Sequence, residues 1–60
     1  MITADILRTR RLKAGISQAA LAKLINYRAE TINRFERKKR KIPVAIQWAL
    51  EKVLQEKEQE

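Results

Sequence analysis

The stretch QAALAKLINYRAETINRFER, Gln18 to Arg37, reads as two short helices that cross through a tight turn. Close crossing needs a small residue on the first helix, a turn residue tolerant of positive φ four positions later, and an apolar anchor six beyond that. Ala22, Asn26 and Ile32 stand at those positions, with Leu21, Ile25 and Phe35 as apolar neighbours. After Gly, Asn is the residue that best accepts left-handed backbone. Ser17 is the N-cap candidate for the first of these helices, whose apolar face is expected on Leu21, Leu24 and Ile25 and whose end falls near Ile25. The second is expected over about Ala29 to Arg37, with Ile32 and Phe35 inward.

Two helices joined in this way make a helix-turn-helix, about residues 18–37, whose second helix is presented on the surface and suits the major groove of a duplex. Working outward, Thr3 is a plausible N-cap, Asp5 lies in the turn that follows it, and Gly15 can close a first helix over about Ala4 to Ala14. Pro43 suits the opening of a fourth helix that reaches about Gln55 or Glu56. One Gly, one Pro and few β-branched clusters leave little room for hairpins, so the fold class is all-α. Sixty residues correspond to one small four-helix domain, residues 1–60, with a compact core.

Composition narrows the function classes. The chain has no Cys and no His, so thiol chemistry, disulfides and the usual zinc sites are not expected. Its carboxylates show neither metal spacing nor a paired acid and base, and Ser17 is accounted for as a cap, so no enzyme, metal, cofactor or small-molecule ligand is expected. No apolar run approaches a membrane span, and the N-terminus lacks the apolar core of a signal peptide, so a soluble cytoplasmic protein is expected. The net charge is +7. Met1 to Leu50 carries twelve basic residues against three acidic ones, while Glu51 to Glu60 carries two against four. A basic body with a mildly acidic tail points to a polyanion, nucleic acid first and an anionic membrane surface second.

Two charges fall where the apolar stripes predict core. Leu7, Arg11 and Ala14 share the inward face of helix one, and Ile32, Phe35 and Glu36 share that of helix three. Opposite charges pointing inward are most economically paired, so an Arg11 to Glu36 ion pair is expected, the guanidinium fork matching the carboxylate. The other side of helix three offers Arg28, Ala29, Glu30, Asn33 and Arg34. Arg34 can donate to guanine O6 and N7, Asn33 can reach adenine or a phosphate, and Glu30 can accept from cytosine N4. Glu30 also precedes Arg34 by four residues, so bracing Arg34 is an equal alternative. The loop Arg37, Lys38, Lys39, Arg40 and Lys41 suits phosphates better than bases. On helix four, Ile46, Ala49, Leu50 and Val53 are expected inward. Val44 and Trp48 face nearly opposite and are read either as a dimer interface or as a fold over the edge of the core.

The segments RRLKAGISQAALAKLI and ETINRFERKKRKIP together resemble the lambdoid phage repressor and Cro type of helix-turn-helix domain, often called the xenobiotic-response-element family. The resemblance covers Leu7 to about Val53. It implies the Arg11 to Glu36 pair, a phosphate contact from Gln18, and base-edge positions at Ala29, Glu30 and Arg34. Several departures are evident. Asn26 and Lys38 stand where the family often has Gly, and Arg28 stands where a Ser or Thr usually caps helix three. That last change suggests either that Asn26 caps one turn earlier or that the helix start frays until DNA binds. The family's fifth helix has no counterpart. The function implied is a sequence-specific, double-stranded DNA-binding transcriptional regulator of phage or mobile-element type. It would be a repressor on a palindromic operator as a homodimer, and control of its own promoter is an attractive extension. The alternative is an antitoxin-like or adaptor module that binds protein. RNA binding is the weaker option, because Tyr27, Phe35 and Trp48 make no stacking platform.

Overall fold

A computed structural model describes residues 2–59. Within them are four helices and no strand: α1 (Ala4–Lys13), α2 (Gln18–Leu24), α3 (Ala29–Glu36) and α4 (Val44–Glu58). The first two start on side-chain caps, with Thr3 Oγ1 accepting from the Ile6 N–H at 3.3 Å and Ser17 Oγ from the Ala20 N–H at 3.0 Å.

The first three helices end in the same way. Gly15, Asn26 and Lys38 take left-handed backbone with φ of 74°, 64° and 61°. At each end the left-handed residue donates its N–H to the carbonyl three residues back, and the next residue donates to the carbonyl five back. These pairs are Gly15 to Leu12 and Ile16 to Arg11, Asn26 to Lys23 and Tyr27 to Ala22, and Lys38 to Phe35 and Lys39 to Arg34. This is the Schellman closure, which satisfies carbonyls that a helix end would otherwise leave open. Gly adopts the conformation freely and Asn tolerates it, whereas Lys38 bears a strain of roughly 1–2 kcal/mol. Because Asn26 is committed to closing α2, it does not cap α3.

The core consists of Ile2, Leu7, Leu21, Ala22, Ile32, Phe35, Leu50 and Leu54, with Ile16, Ile25, Ile42, Ile46 and Val53 packed against it. Ala22 is only 1% exposed, so the small side chain lies at the α2 and α3 crossing expected of it. Leu24 departs from its expected inward place and is 50% exposed. The inward stripe of so short a helix is Leu21, Ala22 and Ile25, and position 24 lies about 100° from its centre at 100° per residue. The α4 stripe is also shifted, with Leu50 and Leu54 fully buried and Ile46, Ala49 and Val53 half-buried. Helix α4 runs past the expected end to Glu58, where Arg10 of α1 holds it. Arg10 Nη1 donates to Glu51 Oε2 and Nε to Glu58 Oε1, both at 2.7 Å. Ile2 is drawn in by its N–H, which donates to Gln47 Oε1 at 3.2 Å, while Gln47 Nε2 donates to the Ile42 carbonyl at 2.9 Å.

One polar group lies inside this core. Arg11 donates from Nε to Glu36 Oε2 at 2.6 Å and from Nη2 to Glu36 Oε1 at 3.0 Å, and its Nη1 donates to the Ile16 carbonyl at 3.0 Å. The side chains of Arg11 and Glu36 are 10% and 4% exposed. The hydrogen bonds to Glu36 raise the guanidinium pKa further above its ordinary value against the opposing effect of burial, so Arg11 stays charged at any working pH. Arg11→Ala would strand the Glu36 carboxylate, and the expected loss is about 3–5 kcal/mol of unfolding free energy. Urea denaturation measures it, and a variant as stable as the parent would show that the pair does not hold the fold.

Candidate nucleic-acid interface

Helix α3 presents the candidate surface because α2 and the core take its opposite face. Ile32 and Phe35 are fully buried, Ala29, Thr31 and Glu36 are half-buried, and Arg28, Glu30, Arg34 and Arg37 face outward. The helix thus brings Glu30 and Arg34 to one exposed edge, while Arg28, also exposed, stands at its N-cap and the half-buried Ala29 opens its first turn. Arg34 Nη2 donates to Glu30 Oε1, the two side chains being 54% and 66% exposed, so the pair is a surface brace one helical turn long.

Asn33 stands apart from that edge. It is half-buried, and its Nδ2 donates to Gln18 Oε1 at 3.3 Å. Gln18, the first residue of α2, in turn donates from Nε2 to Glu36 Oε1 at 3.2 Å. A continuous hydrogen-bonded line therefore runs from Arg11 in the core through Glu36 and Gln18 to Asn33 near the surface. The pairing of Gln18 with Asn33 is not visible in the sequence, since neither spacing nor charge signals a contact between two neutral amides.

Beyond α3 the chain turns at Lys38 and exposes Arg37, Lys38, Lys39, Arg40 and Lys41 together. Lys38 Nζ lies 3.5 Å from Asp5 of α1, both well exposed, a contact that contributes little in water. Among the described residues the side chains of Arg28, Arg37, Lys39, Arg40 and Lys41 make no ion pair. Positive charge is thus left uncommitted at both ends of α3. On α4, Val44 and Trp48 are exposed, Trp48 to 75%, beside a groove of about 400 Å³ lined by Ile2, Val44, Gln47, Trp48 and Glu51.

A packed crossing of two short helices, an exposed second helix flanked by cations and a buried Arg to Glu pair beneath it agree with one family. The family model described as helix-turn-helix matches residues 7–60. The chain belongs to the helix-turn-helix family of the Cro and phage-repressor type. No curated protein and no solved structure gives a significant match. Membership makes the protein a DNA-binding transcription regulator, with α3 in the position of the family's recognition helix. Among the described residues, no helix is long and apolar enough to cross a membrane.

The start of this helix-turn-helix recognition helix, like that of α4, lacks a side-chain cap. Arg28 occupies the N-cap with extended backbone, and its side chain makes no cap hydrogen bond. Its carbonyl still accepts from the Thr31 and Ile32 N–H groups, so α3 is formed up to Ala29 without a side-chain cap. Arg28→Ser is expected to raise stability by about 0.5–1 kcal/mol by supplying the missing acceptor, whereas Arg28→Ala has no cap to lose. Thermal unfolding of the two variants checks this, with the Ser variant melting above the Ala variant.

Proposed function

We propose that the protein is a sequence-specific repressor that occupies a palindromic operator as a homodimer and thereby limits transcription, its own promoter included. The observation that carries the reading is a surface helix that exposes Glu30 and Arg34, with Arg28 and Ala29 at its start and five cations from Arg37 to Lys41 beyond its end. Base edges are read by side chains of fixed geometry, and phosphates are held by charge. The Glu30 to Arg34 brace favours the first task. It orders the guanidinium before binding and leaves further N–H donors for guanine O6 and N7, while the second Glu30 oxygen remains open to cytosine N4. Bracing and base reading are therefore compatible roles for Glu30. The loop cations suit the second task, with Gln18 adding a contact from the first turn of α2.

Selection from random duplexes tests the reading. The expected result is a symmetric motif with half-sites about one helical turn apart. Arg34→Ala should relax one position in each half-site by about 1–3 kcal/mol, whereas Lys41→Ala should weaken all sequences alike. With about four to six phosphates neutralised per protomer, log K should fall with log salt at a slope near −4 to −5 per protomer. A flat salt dependence would contradict phosphate-driven binding.

The homodimer rests on Trp48. An indole exposed to 75% beside Val44 and an apolar groove is well placed to insert into the same groove of a second copy, because a two-fold axis repeats knob and groove on both chains. Trp48→Ala is expected to yield a folded monomer in sedimentation equilibrium, with operator affinity lowered most at dilute protein. The same exposed Trp favours a second reading, an antitoxin-like adaptor whose partner is another protein. A parent chain that is monomeric and prefers no duplex over competitor DNA would point to that adaptor.

A further inference from the structure

Asn33 lies on the recognition helix, yet its amide is engaged from inside the protein. The polarity of the line that engages it has a single solution. Glu36 Oε1 receives Arg11 Nη2 at 3.0 Å and Gln18 Nε2 at 3.2 Å, and a carboxylate can only accept. Gln18 must therefore turn its NH2 toward Glu36 and its carbonyl oxygen away. That oxygen meets Asn33 Nδ2 at 3.3 Å, so Asn33 must present its own NH2 to Gln18. Reversing either amide sets two acceptors or two donors against each other, so the buried charge pair fixes the orientation of both.

We infer that Asn33 is a positioning residue: it holds the Gln18 amide in place at the start of α2 for a DNA phosphate and reads no base itself. The inference rests on the proposed DNA-facing role of α3 and of the start of α2. A bidentate adenine contact requires the base edge to set the plane of the Asn amide. Here Gln18 sets that plane, and Gln18 is set by Glu36 and Arg11. Asn33 is also half-buried, unlike Glu30 and Arg34, which project from the exposed edge. The gain for binding is entropic. A free Gln side chain is immobilised when it meets a phosphate, which weakens binding by roughly 2- to 12-fold, and a side chain already held at both ends of its amide avoids most of that loss.

The test combines a measurement on free protein with one on DNA. In the free wild-type chain the Gln18 side-chain amide resonances should be displaced from those of a solvated Gln, and Asn33→Ala should return them toward solvated values. On duplexes taken from the selection, Asn33→Ala and Gln18→Ala should each weaken binding about 3- to 10-fold. The loss should be equal for every operator variant, and the double variant should be no weaker than Gln18→Ala alone. Thermal unfolding of each variant under the binding conditions keeps a folding defect separate from a positioning defect. Loss of preference at one base pair in Asn33→Ala would make Asn33 a base reader and overturn the inference, as would single effects that multiply in the double variant. An Asn33→Ala chain with unchanged Gln18 resonances would also overturn it, even where DNA binding itself stands. A wild-type chain that binds no duplex removes the DNA reading instead, and the inference with it.

Discussion

The bidentate contact between Arg11 and Glu36 is the constraint on which the rest of the arrangement depends. It joins α1 to α3 directly, and through the Ile16 carbonyl it also ties down the link that leads into α2. Removing two charges from water is expensive, and an apolar pair of equal volume often serves stability as well or better. What the ion pair adds is direction. An apolar contact would allow α1 and α3 to slide, whereas two parallel N–H donors facing two oxygens fix both rotation and register. The same direction passes outward through Gln18 to Asn33, so an interaction buried in the core sets the orientation of amides near the surface of α2 and α3. The Arg10 contacts with Glu51 and Glu58 do a simpler job. They lie nearer solvent and fasten the length of α4 to α1 without reaching α3.

The repeated Schellman closures explain how so short a chain turns three times with so little loop. Each closure needs one left-handed residue, and the three residues that supply it form a graded series of Gly15, Asn26 and Lys38. The strain at Lys38 falls at the end of α3, where the chain passes from recognition helix to basic loop. A glycine would relieve it and remove a cation from the row Arg37 to Lys41. Strain at this exposed turn is borne by the packed body of the fold, and the buried Phe35, three residues earlier, supplies that packing.

The parts legible in the sequence are those that depend on spacing within one element or one turn. Ala22, Asn26 and Ile32 disclose the crossing because sterics admit few residue types at those positions. Arg11 and Glu36 are conspicuous because a charge in an apolar stripe calls for a partner. The inward face of α2 was less clear, since seven residues make barely two turns and Leu24 is as apolar as Leu21. Contacts between distant segments left no local mark. Arg10 meets Glu51 and Glu58 across more than forty residues, Ile2 is drawn in by Gln47, and Gln18 finds Asn33 across two helices. In each case the side chain is of a type ordinarily left to solvent, and only the fold gives it a partner. The exposed edge of α3 is intermediate. Helical spacing places Glu30 and Arg34 opposite Ile32 and Phe35, whereas Arg28 precedes the helix on extended backbone and Ala29 is half-buried, so the placing of those two follows from how the chain enters α3.

Charge shows the same division of labour. The acidic residues are few, and among the described residues Asp5 stands opposite Lys38, Glu30 opposite Arg34, Glu36 opposite Arg11, and Glu51 and Glu58 opposite Arg10. Two of these carboxylates clamp Arg10 at α4, one holds Arg11 in the core, and one orders Arg34 at the edge of α3. The acidic tail noted in the composition is thereby turned partly inward, against α1, instead of facing the cations of the basic loop. Among the described residues Arg28, Arg37, Lys39, Arg40 and Lys41 make no ion pair, so an approaching anion has none of theirs to break first. The Glu30 carboxylate is the one negative group on that edge. Because it accepts from the Arg34 guanidinium, its negative charge is locally offset by the cation it braces.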